Sequence, residues 1–287
     1  VPCVVRVHMR RSAADQPSLA EVSVQKLQKG NQSPAILYTR VIALDNIRKK
    51  IKELMDELIR RDPQRRMIID DHEIIVKINL PYCLNVDILD LPGLVTTSPA
   101  STTQNLPQVT KEIAMRVIRE QRESSFFLLV NDVRVPANQS RGCEVVQEAK
   151  IEGQTLGIFT KVDTFMSEDG SESAELQRLL DSSRGGFPLG YGWMAAASRS
   201  VDVGGTMNKL QAFQMMEQNE SRFFREKYGA LVAMNKMGIQ QIRQRIQTLY
   251  ESFIQDRWIP HIITKLNQFL SYFEPMMLEL GTPLPPD

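Results

Sequence analysis

Three short polar stretches follow apolar runs, and each carries side chains suited to one part of a nucleotide. The first is Asp90-Leu91-Pro92-Gly93. A carboxylate there can hold a magnesium ion through water, and the glycine lets a backbone N–H approach a terminal phosphate closely. The second is Thr160-Lys161-Val162-Asp163. A carboxylate at the end of such a loop can accept two hydrogen bonds, from the N1–H and the 2-amino group of guanine. Adenine offers no such donor pair, so one aspartate gives base specificity. The third is Ser198-Arg199-Ser200, which ends the small-residue run "AAASRS" and could close over a base. Each pattern alone also suits an ordinary turn at the end of a strand. The weight lies in their order along the chain and in each standing at its own strand end.

The elements that must position these residues are legible from apolar periodicity. Strand patterns fall at 3–9, 73–80, 85–90, 126–131, 155–161 and 192–197. Several are apolar on both faces, as in a sheet covered by helices on both sides. Between them, residues 46–61 place Ile47, Ile51, Leu54, Met55, Leu58 and Ile59 on one helical stripe. Residues 107–122 do the same with Val109, Ile113, Val117 and Ile118, and Pro107 suits a first helical turn. Shorter helical patterns lie at 142–151 and 172–183. Alternation of strand and helix predicts an α/β fold with a mostly parallel sheet and helices on both faces. Open sheets of this kind bind ligands beyond the carboxyl ends of their strands, where the three polar stretches stand.

After residue 205 the pattern is helical. Residues 206–228 read as helix, and Ile239, Ile242, Ile246, Leu249 and Phe253 form a heptad-like seam. Pro260 interrupts, and Ile262, Ile263, Leu266, Phe269, Leu270 and Phe273 continue an apolar stripe. Two helices meeting at a bend near Pro260 are expected, with a Pro-rich turn or linker at 281–287.

Composition narrows the classes. The 287 residues are 42% hydrophobic and 24% charged, with a net charge of +1. That is an ordinary globular composition with no overall field to draw nucleic acid. Cys3, Cys83 and Cys143 lie far apart with no CxxC pair, so neither a disulfide frame nor a zinc site is expected. The run "FFLLV" at 126–130 is far shorter than the roughly 20 residues that span a bilayer. His8, His72 and His261 stand beside no candidate nucleophile, which speaks against a Ser-His-Asp hydrolase.

At this level of detail the chain resembles the dynamin superfamily of large GTPases. The resemblance is carried by "IIVKINLPYC" and "LNVDILDLPGL", then "TLGIFTKVDTFM", "FPLGYGWMAAASRS", "ESRFFREKYGAL" and "KMGIQQIRQRIQTLYESFI". It extends over most of the chain, from residue 1 to about 270. It implies that Asp90 and Gly93 are switch II groups, with Asp90 serving magnesium. Thr160, Lys161 and Asp163 become the guanine box, and Ser198, Arg199 and Ser200 the third base-contacting loop. The chain departs from the family pattern in carrying Ser198 where asparagine is usual. In the family an acid in the loop after the guanine box reaches the partner's nucleotide across a dimer; either Glu168 or Asp169 could do so here.

No GxxxxGK[ST] phosphate loop occurs in these residues. In dynamins that loop and the switch I threonine lie just before the strand that "VPCVVRV" resembles. The chain is therefore expected to begin after them, and no catalytic residue is expected within it. The resemblance implies a GTPase domain over 1–228, bundle helices leading to a stalk over 229–280 and a linker over 281–287. The intact protein is expected to bind GTP and Mg2+, hydrolyse GTP, dimerise across the nucleotide face and assemble through a stalk. It is expected to be cytoplasmic and peripherally bound to a lipid membrane through regions outside this chain, remodelling or dividing that membrane. The resemblance also admits a cytoskeletal partner such as microtubules; none is expected among nucleic acids. A non-hydrolysing GTP-sensing scaffold is the alternative.

Overall fold

The computed structural model describes residues 1–13, 19–28, 33–81, 83–100, 102–166, 171–181, 187–197, 209–279 and 281. The chain divides into two compact units, Val1–Glu120 and Gln121–Asp287.

The first unit holds β1 (Val4–Arg11), β2 (Leu19–Lys26), β3 (Ala35–Ala43), β4 (His72–Leu80) and β5 (Val86–Asp90), in the order β3-β2-β4-β1-β5. The strands expected at 3–9, 73–80 and 85–90 are all present. The pair β2 and β3, which the sequence reading left out, forms an antiparallel ladder from Leu19↔Ala43 to Lys26↔Ala35, with a shift between Val24 and Gln25. Strand β1 runs parallel to β4 and antiparallel to β5.

Side chains alternate across a strand, so neighbours on β1 serve opposite faces. Val5 joins Val22, Val24, Ile74 and Val76 on one face, where α1 (Ile47–Arg61) lays down Ile47, Ile51, Leu54, Met55 and Leu58. Val4 and Leu89 meet Val109, Ile113 and Val117 of α2 (Leu106–Gln121) on the other. Each apolar side chain buried in this way contributes roughly 1.5–3 kcal/mol. The sheet of this unit is thus covered on both faces, as the strands' apolar runs predict.

The second unit holds β6 (Phe127–Asp132), β7 (Thr155–Thr160) and β8 (Trp193–Ala195), all parallel and in that order. Its helices are α3 (Arg141–Glu148), α4 (Glu172–Leu180), α5 (Lys209–Val232), α6 (Ile239–Phe253) and α7 (Ile259–Glu279). One face presents Leu156, Ile158, Met194 and Ala196 to Ile242, Ile246 and Leu249 of α6. The other carries Leu129, Gly157 and Trp193 in register. Helix α3 fits there because Gly142 has no Cβ: one would collide with Leu129. Gly157 is likewise covered by the Trp193 ring, which stacks on Phe159 at 4.1 Å and 13°.

Helix α5 carries non-helical backbone at Tyr228 (φ −128°, ψ 32°). The break expected near Pro260 takes a particular form. Between α6 and α7 runs a π-helical turn, Ile254–Trp258, and Pro260 is the second residue of α7. A proline has no N–H to donate, and Pro260 stands directly after this wider turn, in which Ile259 N–H donates to Ile254 O five residues back. All three cysteines are free. Among the described residues no helix is long and apolar enough to cross a membrane.

Candidate nucleotide site

The parallel ladder brings the carboxyl ends of β6, β7 and β8 to one edge of the second unit. Strand β6 ends in Asn131-Asp132, β7 in Thr160, and β8 leads into Ala196-Ala197. Backbone bonds tie the three ends together. Val133 N–H donates to Thr160 O (3.1 Å), Val162 N–H to Ala196 O (3.3 Å), and Ala196 N–H to Phe159 O (2.8 Å). The loop from Thr160 to Asp163 is thereby fixed against both neighbouring strands.

Lys161 turns the chain out of the strand in the left-handed region (φ 59°, ψ 31°). A non-glycine residue there is uncommon and costs free energy that the surrounding bonds must offset. Its ammonium donates to the Asp132 carboxylate at 3.0 Å. Asp132 also takes a two-pronged bond from the Arg134 guanidinium, at 2.9 and 2.6 Å. Arg134 first and Lys161 after it hold the Asp132 carboxyl far below the usual carboxylate range. The Lys161 side chain is 59% exposed, so this bond positions a mobile cation more than it stabilises the fold.

The loop after β6 is organised from within. Asn131 is buried, and its amide donates to Val135 O (2.9 Å) and Asp132 O (3.1 Å). Ser140 Oγ donates to Asn131 Oδ1 at 2.8 Å and, as the N-cap of α3, accepts from Cys143 N–H at 3.4 Å. Thr160 Oγ1 donates to Asn131 O at 3.3 Å. Asn131 therefore links the strand end that carries Asp132 to the one that carries Thr160.

Asp163 lies in a 3-10 turn, Val162–Thr164, behind buried Val162. Among the described residues its half-buried carboxylate accepts no hydrogen bond, so both oxygens remain for a ligand's donors. Ser198, Arg199 and Ser200 lie outside the described residues, as do Glu168 and Asp169. Ala197, immediately before them, is fully buried.

Asp90 and Gly93 belong to the first unit. Asp90 ends β5 opposite Val5 of β1. Its carboxylate is exposed and has no partner among the described residues. Gly93 is exposed, with open space where a Cβ would stand. Among the described residues no group of three His, Cys, Asp or Glu side chains could cage a metal. A lone, unpaired carboxylate suits magnesium, which keeps most of its waters and takes few protein ligands.

Sequence reasoning missed Asp132, Arg134 and Glu220. Asp132 stands directly after the apolar run "FFLLVN", a polar strand end like the others. Glu220 lies three and four residues before Phe223 and Phe224, on the buried face of α5. Its carboxylate accepts from Ala197 N–H at 2.7 Å and Ile239 N–H at 2.6 Å.

No family model matches the chain. Individual relatives do. Phragmoplastin DRP1A of Arabidopsis thaliana is 24% identical over 82% of this chain and 37% of its own length. Dynamin-1-like protein of Danio rerio is 22% identical over 75% of this chain and 29% of its own. Dynamin of Drosophila melanogaster is 23% identical over 79% of this chain and 24% of its own. The chain thus spans well under half the length of each of these relatives. A solved bacterial dynamin pair aligns over 96% of the chain and 40% of its own, at 14% identity and a TM-score of 0.30, too low to argue from. In sequence the chain is similar to several members of the dynamin superfamily, each over three quarters or more of this chain's length.

Proposed function

We propose that this chain supplies the guanine-reading and γ-phosphate-sensing parts of a GTPase that works as a self-assembling machine on membranes. The observation that carries this reading is the edge of the three-stranded sheet. There Asp163, unpaired among the described residues, stands on a loop bonded to the ends of both neighbouring strands. Asp163 accepts the N1–H and 2-amino group of guanine. Lys161, released from Asp132 or shared with it, lies along the base, and Thr160 fixes the loop. Ser198, Arg199 and Ser200 close the third side.

Asp90 serves a magnesium ion through water, and the Gly93 N–H meets the γ-phosphate. A magnesium ion neutralises phosphate charge in such a site, and catalysis there is positioning and charge stabilisation more than covalent chemistry. In this reading residues 1–228 form the GTPase domain and 229–280 begin a helical bundle that leads to a stalk. The bundle is supported by the exposed apolar stripe of α7, where Ile263, Leu266, Phe269, Leu270 and Phe273 are each at least half exposed. Apolar faces of this extent mark interaction surfaces. Membrane contact is made through regions outside this chain, with the protein held at the cytoplasmic surface.

A competition experiment on the intact protein tests this. With magnesium present, GTP and GDP should displace a fluorescent GDP analogue, and ATP and ADP should fail to at a hundredfold excess. Equal displacement by adenine and guanine nucleotides contradicts the guanine reading.

A further inference from the structure

Strand β3 lies at one edge of the first unit's sheet, with β2 on its inner side. Among the described residues no strand pairs with its outer side, so a row of N–H and C=O groups there is open to another strand. The edge is also apolar. Ile36, Leu37 and Val41 are each more than half exposed, and the strand holds no proline, lysine or acid. Two features interrupt it. Arg40 carries the strand's one charge, and the shift between Val24 and Gln25 leaves Leu37 with no opposite residue on β2. Tyr38 to Ala43 remain as the regular run.

These two features decide how a second copy of the strand fits. Two identical strands pair antiparallel about a two-fold axis that sets one residue opposite itself. Tyr38 and Ile42 pack toward α1, so Thr39 and Val41 stand on the open face. An axis at Arg40 would set two guanidinium groups directly opposite, which is destabilising. An axis at Thr39 would set Val41 against Leu37, at the irregularity. An axis at Ile42 would leave only Val41 to Ala43 in the ladder, because the chain then enters a 3-10 turn, Leu44–Asn46. An axis at Val41 keeps Thr39 to Ala43. There the two Val41 side chains, each 56% exposed in the single chain, meet on the open face. The stem of Arg40 lies beside Ile42 of the partner subunit, with its charged head in water.

We propose that β3 pairs with β3 of a second copy of this chain about a two-fold axis at Val41, joining the two five-stranded sheets into one. A foreign strand selected by charge would bring an acid to Arg40. The chain's own strand needs none, because its two arginines fall on opposite sides of the axis. The ladder is short, so it adds to other contacts between copies rather than replacing them. It lies in the first unit's sheet and requires neither guanine nor magnesium, so it stands apart from the guanine reading above.

The test is cross-linking of the intact protein without nucleotide. Thr39→Cys, Arg40→Cys, Val41→Cys, Ile42→Cys and Ala43→Cys are made singly and oxidised briefly with copper–phenanthroline. Disulfides between copies are identified by the mass of the joined peptides, which separates them from any formed at Cys83. Residues opposite each other in an antiparallel pair have Cα atoms roughly 4.5–5.5 Å apart, within the reach of a disulfide. Only the residue on the axis meets itself. Val41→Cys should therefore join to its own copy at least severalfold faster than the other four. A maximum at any other position overturns the axis at Val41. Equal rates at all five positions indicate chance collision, and no joined peptide leaves the edge to a different strand; either result overturns the pairing and leaves the guanine reading untouched.

Discussion

In the first unit, the strand that ends in Asp90 lies beside β1 in antiparallel register, so its carboxyl end meets the amino end of its neighbour at Val5. In the second unit, three strands run the same way, and all their carboxyl ends fall on one edge. The consequence is visible in the polar groups. Asp90 stands alone at the end of its strand. Asp132, Thr160, Lys161 and Asp163, by contrast, are brought to one edge by strand direction, and side-chain and backbone bonds tie their loops together. Parallel pairing brings several polar strand ends to one edge, where the left-handed turn at Lys161 and the bonds of Asn131 then fix the loops. Mixed pairing, as in the first unit, presents single groups.

The two units are also held together differently. The first relies on aliphatic side chains sandwiched between α1 and α2. The second depends on glycines that let bulky groups close in, at Gly142 and Gly157. Substitutions should separate these modes. Ile74 is fully buried at the centre of the first unit's sheet. Ile74→Ala should cost about 2–5 kcal/mol, because the cavity it leaves cannot fully collapse. Amide exchange should then accelerate across 72–80 and 19–26. An equal acceleration across 155–160 would show that the two units open as one.

Gly157→Ala acts by crowding. Its new methyl would fall within the Trp193 ring, and the Phe159–Trp193 stack would have to separate. The expected cost is about 1–3 kcal/mol, confined to the second unit. Near-ultraviolet circular dichroism of the tryptophans should weaken, since both Trp193 and Trp258 lie in that unit. An unchanged spectrum would mean that the sheet yields without disturbing the stack.

A smaller effect, of opposite sign in the two units, comes from pH. In the first unit, the hydrogen bond from Arg66 is the main cause that holds the Asp62 carboxyl below its ordinary value. Its contribution to stability is present above about pH 4 and is lost as pH falls through the folded value. In the second unit, burial raises Glu220. Its protonated form favours the fold, so its contribution is greatest below about pH 4 and is lost as pH rises through the raised value. Denaturant unfolding across pH should therefore find the difference between the unsubstituted chain and Asp62→Asn growing with pH. The difference from Glu220→Gln should shrink with pH. Slopes of the same sign would remove the assignment of one of the two carboxylates.

Much of this was legible in the sequence, for identifiable reasons. The six expected strands carry apolar runs that stand out, several of them on both faces, and α1, α2 and α6 carry clean stripes. Strands β2 and β3 escaped notice. In β2, Glu21, Ser23 and Gln25 alternate with Ala20, Val22 and Val24, so half of each short run is polar. Strand β3 lies at the edge of its sheet with Ile36, Leu37 and Val41 exposed, which blurs the alternation that would mark a strand. Thr160, Lys161 and Asp163 announced themselves because a local loop sets their spacing. Asp132 and Glu220 did not, because what gives them meaning is a bond to a residue 29 positions away in one case and 23 and 19 in the other. Spacing in sequence carries no trace of such bonds.

The most direct test of the central claim exchanges one atom at Asp163 in the intact protein. Asp163→Asn replaces an acceptor oxygen by a donor amide, which then faces the donors of guanine. Two lost charge-assisted bonds at roughly 1.5–3 kcal/mol each lower GTP affinity by about two to four decades. Xanthine carries an oxygen where guanine has its amino group, so the variant should prefer XTP. Asp169→Asn, in the following loop, should leave base preference unchanged. Equilibrium titration with GTP and XTP reads the outcome. A preference that inverts with Asp163→Asn alone is the predicted result, and a variant that still prefers GTP contradicts the claim that Asp163 reads the base.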